Sequence, residues 1–156
     1  MSIFTDDIFT QDPLASVIEE KTIQLKEGER RTVSILFADL KGFTAMSEML
    51  DPELVQSTID KIMSVFTKVI KNHGGYVDKY SGDEVMALFG AKVASEVDTE
   101  RAIRAGLQML ENLNKFNQYM KTQKEFSGID KPLAIRIGIN TGLVTTGKIG
   151  EGREGD

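Results

Sequence analysis

The first strongly apolar segment of the chain is a strand that ends in a charge. In RTVSILFAD, residues 31–39, Val33, Ile35 and Phe37 are predicted to point inward, and Leu36 and Ala38 make the other face apolar too. Such a pattern is typical of a strand buried on both faces. Asp39 places a carboxylate at the tip of this strand, directly before a turn.

Helical periodicity follows this strand. A short helix is predicted over residues 43–50, and a longer one begins at LDPEL, with Asp51 as its N-cap and Pro52 as its first residue. The longer helix is expected to end at Gly74 or Gly75, where glycine tolerates the left-handed backbone. Its apolar stripe consists of Val55, Ile59, Ile62, Phe66 and Val69.

The second half of the chain repeats this change from strands to a helix. YVDKY and EVMALFG predict two strands joined by a tight turn at Ser81 and Gly82. Asp98 begins a third helix. Its predicted inner face consists of Ile103, Leu107, Leu110, Leu113 and Phe116. LAIRIGIN and LVTTGKIG then predict two further strands that meet around Thr141 and Gly142.

The order βααββαββ predicts an α+β, ferredoxin-like (palm-like) fold, an antiparallel sheet with helices on one face. A right-handed crossover makes the first two strands parallel, and the third strand lies between them, antiparallel to both. Asp39 ends strand one and Asp83 begins strand three. The topology therefore brings two aspartates to one edge of the sheet. Residues 1–28 are interpreted as an N-terminal extension or linker, and residues 29–156 as one domain.

Composition limits what this domain can do. Its 156 residues are 40% hydrophobic and 28% charged, which fits one globular domain with a core. The net charge of −5 argues against binding to a nucleic-acid duplex. The absence of cysteine excludes disulfides and thiolate zinc sites. Neither a membrane segment nor a signal peptide is recognisable, so a cytoplasmic location is expected.

The two aspartates predict a cation site. Carboxylates at close range repel unless a proton or a cation lies between them, and oxygen ligands without cysteine or histidine favour Mg²⁺ or Mn²⁺. KGFT, which follows Leu40, begins a helix whose backbone N–H groups can hold phosphate oxygens. Carboxylates beside such a cradle are typical of two-metal phosphoryl transfer. The alternatives are that Asp39 caps the helix and that Asp83 is an ordinary turn residue.

Three segments resemble one family. ERRTVSILFADLKGFTAMSE, GGYVDKYSGDEVMALFG and RIGINTGLVTTGKIG closely resemble the class III nucleotidyl cyclase catalytic domain. The similarity runs from about Gly28 to the end of the chain, in the same order and with the same spacing. SEMLDPELV and ERAIRAGLQML look most like bacterial adenylate cyclases.

The resemblance implies a role for each matched residue. Asp39 and Asp83 match the catalytic aspartates that bind two Mg²⁺ or Mn²⁺ ions, and the carbonyl of Leu40 matches a further metal contact. The loop that covers the triphosphate matches Gly42, Phe43 and Thr44.

Lys79 matches the position that selects the purine. Lysine there implies adenine, because an ammonium group can donate to a ring nitrogen that is protonated in guanine. The implied reaction converts ATP to 3′,5′-cyclic AMP and pyrophosphate, through attack of the ribose 3′-hydroxyl on the α-phosphate. The alternative for Lys79 is a solvated strand lysine.

The sequence also departs from the family pattern. Some members carry a phosphate-binding arginine where this chain has Leu143. The family continues with a strand and a helix that carry an asparagine, an arginine and a second purine contact, all beyond Asp156. Residues 29–156 thus match the N-terminal two-thirds of the domain. Because the family works as a head-to-tail dimer in which partners share each site, the 156 residues alone are expected to be inactive.

Other functions compete with this interpretation. A non-catalytic nucleotide-sensing or dimerisation module could keep the fold without turnover. Lys79 disfavours a guanylate cyclase, and SGDEV is not the GGDEF signature of diguanylate cyclases. A polymerase palm would need a surface for a duplex, which this acidic chain lacks. Arg136, on a predicted strand, is expected to pair with a surface acid.

Overall fold

A computed structural model describes residues 30–91 and 95–145. The predicted extension over residues 1–28 lies outside these ranges. The described elements are β1 (Arg30–Lys41), α1 (Phe43–Met49), α2 (Pro52–Asn72), β2 (Tyr76–Ser81), β3 (Glu84–Phe89), α3 (Asp98–Lys121), a 3₁₀ turn (Lys124–Phe126) and β4 (Ala134–Thr145). No helix within these ranges is both long and apolar enough to cross a bilayer.

The strands form one antiparallel sheet in the order β2-β3-β1-β4. β3 therefore lies between β1 and β2, as the crossover argument predicts. The α+β, palm-like fold class is confirmed.

The core lies on one face of this sheet only. Leu36, Ala38 and Leu40 of β1 are buried in the cluster formed with α2 and α3. Phe37 lies on the opposite face and is 54% exposed. The prediction that β1 is buried on both faces holds at Val33, which is buried, but is wrong at Phe37. Both faces of β1 are apolar, so alternation alone could not reveal that the helices cover the even-numbered residues.

Helix α2 follows its predicted stripe closely. Every residue of that stripe is buried. Pro52 is the first helical residue, but the side chain of Asp51 makes no capping hydrogen bond, contrary to expectation. Gly74 ends the helix region with φ of 79°, and a Cβ there would collide with Arg101. Position 74 thus requires glycine for its backbone conformation.

The inner face of α3 differs from the predicted one. Leu113 and Phe116 are buried, but Leu107 is 61% exposed. Ile103 and Leu110 are exposed as well. The inner face instead begins with Ala102, Ala105, Gly106 and Met109. Gly106 lies near Ile137 of β4, where an added Cβ would make an ordinary contact at 3.5 Å.

The two strands predicted around Thr141 and Gly142 form a single strand. β4 pairs with β1 over its whole length, from Arg30 opposite Thr145 to Lys41 opposite Ala134. Because β1 offers 12 residues for pairing, the backbone of β4 stays extended through Gly142. The sequence around Thr141 and Gly142 alone could not indicate this pairing. The end of LVTTGKIG lies outside the described residues.

Candidate active site

Asp39 lies on the open face of the sheet, near the end of β1. It is opposite Glu84 on β3 and opposite Arg136 on β4. Helix α1 has Gly42 at its N-cap position, so Asp39 is not the cap of that helix. The alternative interpretation of Asp39 as a helix cap is therefore wrong.

Two cations hold the Asp39 carboxylate. Its Oδ2 accepts a hydrogen bond from Arg136 Nη2 at 3.0 Å and lies 2.6 Å from Lys41 Nζ. The bond from Lys41, followed by that from Arg136, lowers the pKa of Asp39 below its ordinary value. The carboxylate is thus kept in the anionic form that a metal ion needs. The prediction that Arg136 pairs with a surface acid is confirmed, and the acid is Asp39.

Asp83 lies in the hairpin turn at the same end of the sheet. Ser81 pairs with Glu84, so the turn consists of Gly82 and Asp83, one residue later than predicted. The backbone N–H of Leu40 donates to the carbonyl of Asp83 at 2.9 Å. Asp83 is therefore one position away from Asp39 across the β1–β3 pair, although the two are far apart in sequence.

The segment predicted to cover phosphates leads from β1 into α1. Gly42 adopts φ of 93°, a left-handed conformation that lets the chain turn directly after the strand. Phe43 packs against the core, and Thr44 is exposed. No side chain caps α1, so this helix start has N–H groups without a capping partner among the described residues.

Lys79 lies across the open face from Arg136. It is exposed on β2, opposite Met86, directly after a shift in strand register. Lys79, Asp39 and Arg136 all line one cavity of about 940 Å³. Asp83 and residues 42–44 are outside the walls of this cavity, as the described residues define it. Of the predicted site residues, Asp39 and Lys79 therefore lie in one cavity, and Asp83 and residues 42–44 lie at the adjacent edge of the sheet.

The donor set suits a metal ion that arrives with its own ligands. Within residues 30–91 and 95–145, no cluster of three acidic, histidine or cysteine side chains could hold a metal alone. Mg²⁺ is usually bound by one or two carboxylates, together with water and substrate phosphates. An ionised Asp39 at the same end of the sheet as Asp83 fits that kind of site better than a permanent metal site.

Sequence reasoning did not identify Glu84 as a neighbour of Asp39, and it did not identify Asp39 as the acid that pairs with Arg136. Glu84 is directly opposite Asp39, where like charges are unfavourable unless a cation compensates them. Arg136 supplies such a cation from a strand 97 residues away. The sequence signal for both is the strand register, which is known only once the pairing of β1 is known.

Comparisons with known proteins agree with this geometry. Residues 25–155 match the model of the adenylate and guanylate cyclase catalytic domain. An adenylate cyclase of Anabaena cylindrica is 32% identical over 145 residues, and the match covers 91% of this chain but only 28% of that protein.

Solved structures of both cyclase types are similar to this chain. The adenylyl cyclase CyaB from P. aeruginosa has a TM-score of 0.70 and 33% identity, with 78% of this chain and 61% of that chain covered. The guanylyl cyclase Cya2 has a TM-score of 0.67 and 38% identity, with 82% and 62% covered.

Proposed function

Because the chain belongs to the adenylate and guanylate cyclase catalytic domain family, we propose that it is the catalytic domain of an adenylate cyclase. Its substrate is ATP, and its products are 3′,5′-cyclic AMP, a signalling nucleotide, and pyrophosphate. The observation that carries this proposal is that Asp39 and Lys79 line one cavity on the open face.

Each residue has a role in the proposed reaction. Asp39 and Asp83 bind two Mg²⁺ or Mn²⁺ ions, with the Leu40 carbonyl as a further ligand. When bound, these ions lower the pKa of the ribose 3′-hydroxyl and neutralise the charge on the leaving pyrophosphate. Asp39 is suited to this role because its two cationic neighbours keep it ionised. Gly42, Phe43 and Thr44 cover the triphosphate.

Lys79 favours ATP over GTP. Its ammonium group is exposed in the cavity and can donate to a purine ring nitrogen that accepts a hydrogen bond in adenine. Guanylate cyclase is the second candidate, because the similarity to Cya2, a guanylyl cyclase, is as extensive as the similarity to CyaB.

The proposed active form is a head-to-tail homodimer. The open face carries the exposed Phe37 beside the cavity, and a second copy could cover it. This chain spans 28% of the Anabaena cylindrica enzyme, so the activity of the whole protein is part of the proposal.

The test measures cyclic nucleotide formation by the full-length protein that carries these residues. With Mn²⁺, we expect product from ATP and little from GTP. Asp39→Asn and Asp83→Asn should each lower kcat about 10²-fold or more, since each removes a charge that holds a metal ion. Asp60→Asn, on the exposed surface of α2, is the matched control and should leave the rate unchanged.

Other outcomes separate the alternatives. Faster turnover of GTP than of ATP would make the protein a guanylate cyclase. Nucleotide binding that survives both aspartate substitutions, without turnover in the unsubstituted protein, would identify a sensing or dimerisation module instead.

A further inference from the structure

The Asp39 carboxylate already has two cationic partners. Arg136 and Lys41 both contact the same oxygen, Oδ2. With Glu84 opposite Asp39, these four side chains are neutral as a group. A free divalent ion would find Oδ2 of Asp39 already compensated by two cations, and it could use that oxygen only by displacing them.

The two cations differ in where their side chains lie. Arg136 lines the cavity that also contains Lys79, whereas Lys41 lies outside its walls as the described residues define them. The Arg136 side chain is 71% exposed, and Asp39 is its only ion-pair partner in the described part of the chain. Arg136 is therefore held by one contact and remains free to turn into the cavity.

We propose that Arg136 is a shared cation, which holds Asp39 in the free protein and binds the triphosphate when a metal–nucleotide complex enters. This inference rests on the proposed function, and it assigns Arg136 a role in substrate binding. A metal–triphosphate complex carries net negative charge, so the displaced guanidinium gains phosphate oxygens that it can contact with two N–H groups. A free metal ion offers no such replacement.

The exchange has a functional consequence. A metal ion alone is disfavoured at Oδ2 of Asp39, because it gives the displaced Arg136 and Lys41 no new partner. The metal–nucleotide complex is favoured as a unit, because its phosphates compensate the loss. The side chains of the sheet alone thereby make the site prefer a metal–nucleotide complex over a free metal ion.

The experiment compares Arg136→Gln with Lys41→Gln by calorimetric titration. Each variant is titrated with Mn²⁺ alone and with Mn²⁺ plus 3′-deoxy-ATP, which lacks the attacking hydroxyl. Both variants should bind Mn²⁺ alone about threefold more tightly, because one competing cation is gone. Only Arg136→Gln should bind Mn²⁺–3′-deoxy-ATP about tenfold more weakly, since only this substitution removes the phosphate contact. Arg136→Lys should recover part of that affinity.

Two results would overturn the inference while leaving the proposed function intact. One is unchanged nucleotide affinity in Arg136→Gln. The other is weaker binding of Mn²⁺ alone in that variant, which would mean that Arg136 only positions Asp39. If the unsubstituted protein bound no Mn²⁺–3′-deoxy-ATP at all, the proposed function would fail, and this inference would fail with it. Circular dichroism would verify that each variant is folded.

Discussion

Two aspartates of this chain have opposite electrostatic environments. Asp39 is on the open face between two cations, which lower its pKa. Asp98 is buried at the start of α3, where its Oδ2 accepts a hydrogen bond from the Ser95 N–H at 2.6 Å. Burial raises the pKa of Asp98, and this effect outweighs the hydrogen bond and the nearby arginines, Arg101 and Arg31, which act in the other direction.

The opposite shifts predict opposite pH dependences of stability. The raised pKa of Asp98 means that the native state binds its proton more tightly than the unfolded state does. Relative to Asp98→Asn, the unsubstituted protein should be most stable below the ordinary Asp pKa of 3.8. That advantage should fall as the pH rises through the native pKa. Urea unfolding of both proteins between pH 3.5 and 7 would measure it.

Asp39→Asn provides the control of opposite sign. Because the pKa of Asp39 is lowered, its contribution to stability is present above the ordinary pKa and is lost as the pH falls through the native pKa. If the Asp98→Asn comparison instead changed in the same direction as the Asp39→Asn comparison, burial would not dominate at Asp98.

At the scale of elements, the inner face of α3 was the least predictable feature. Ile103, Leu107 and Leu110 carry the strongest apolar signal in that helix, yet they are exposed. The buried side begins instead with Ala102, Ala105 and Gly106. Periodicity reveals large apolar residues, so an inner face that begins with small residues gives only a weak signal.

A pair of alanine substitutions tests this face. Met109→Ala removes a fully buried side chain and should lower the free energy of unfolding by about 2–5 kcal/mol. Leu107→Ala, on the exposed side, should change it by about 0.5 kcal/mol or less. Both substitutions retain helix propensity, so denaturant unfolding compares burial alone. Equal losses in the two variants would contradict the assignment of the inner face.

Local signals predicted most of the other elements, but not that β4 is a single strand, and they predicted only part of the site. The stripe of α2, the β2–β3 hairpin and the sheet order follow from periodicity, turns and crossover handedness. Asp39 stood out as a charge at the end of an apolar strand. Its pairing with Arg136 depends on a register between β1 and β4, which no local pattern contains.

At the scale of the whole molecule, two apolar surfaces compete as the contact between copies. One is the open face of the sheet with Phe37, and the other is the exposed side of α3 with Leu107. The proposed dimer uses the open face, because a partner there would also reach the cavity. Apolar patches of this kind often mark contact surfaces.

Charge substitutions distinguish the two surfaces. Phe37→Glu should weaken self-association of the full-length protein about tenfold or more, because a carboxylate would be buried at the interface. Leu107→Glu introduces the same charge on the other surface and should leave association unchanged. Sedimentation velocity over a range of concentrations measures both. Loss of dimer in Leu107→Glu alone would assign the interface to α3 instead.

Strand β4 has one further consequence, since it is one of the two edge strands of the described sheet. Its 12 residues pair with β1 on one side, and in the described sheet its other side has no strand partner. A row of free backbone donors and acceptors is a template for any extended peptide, and natural proteins usually shield such rows. Among the described residues, β4 is therefore an edge at which an extended peptide can add a strand.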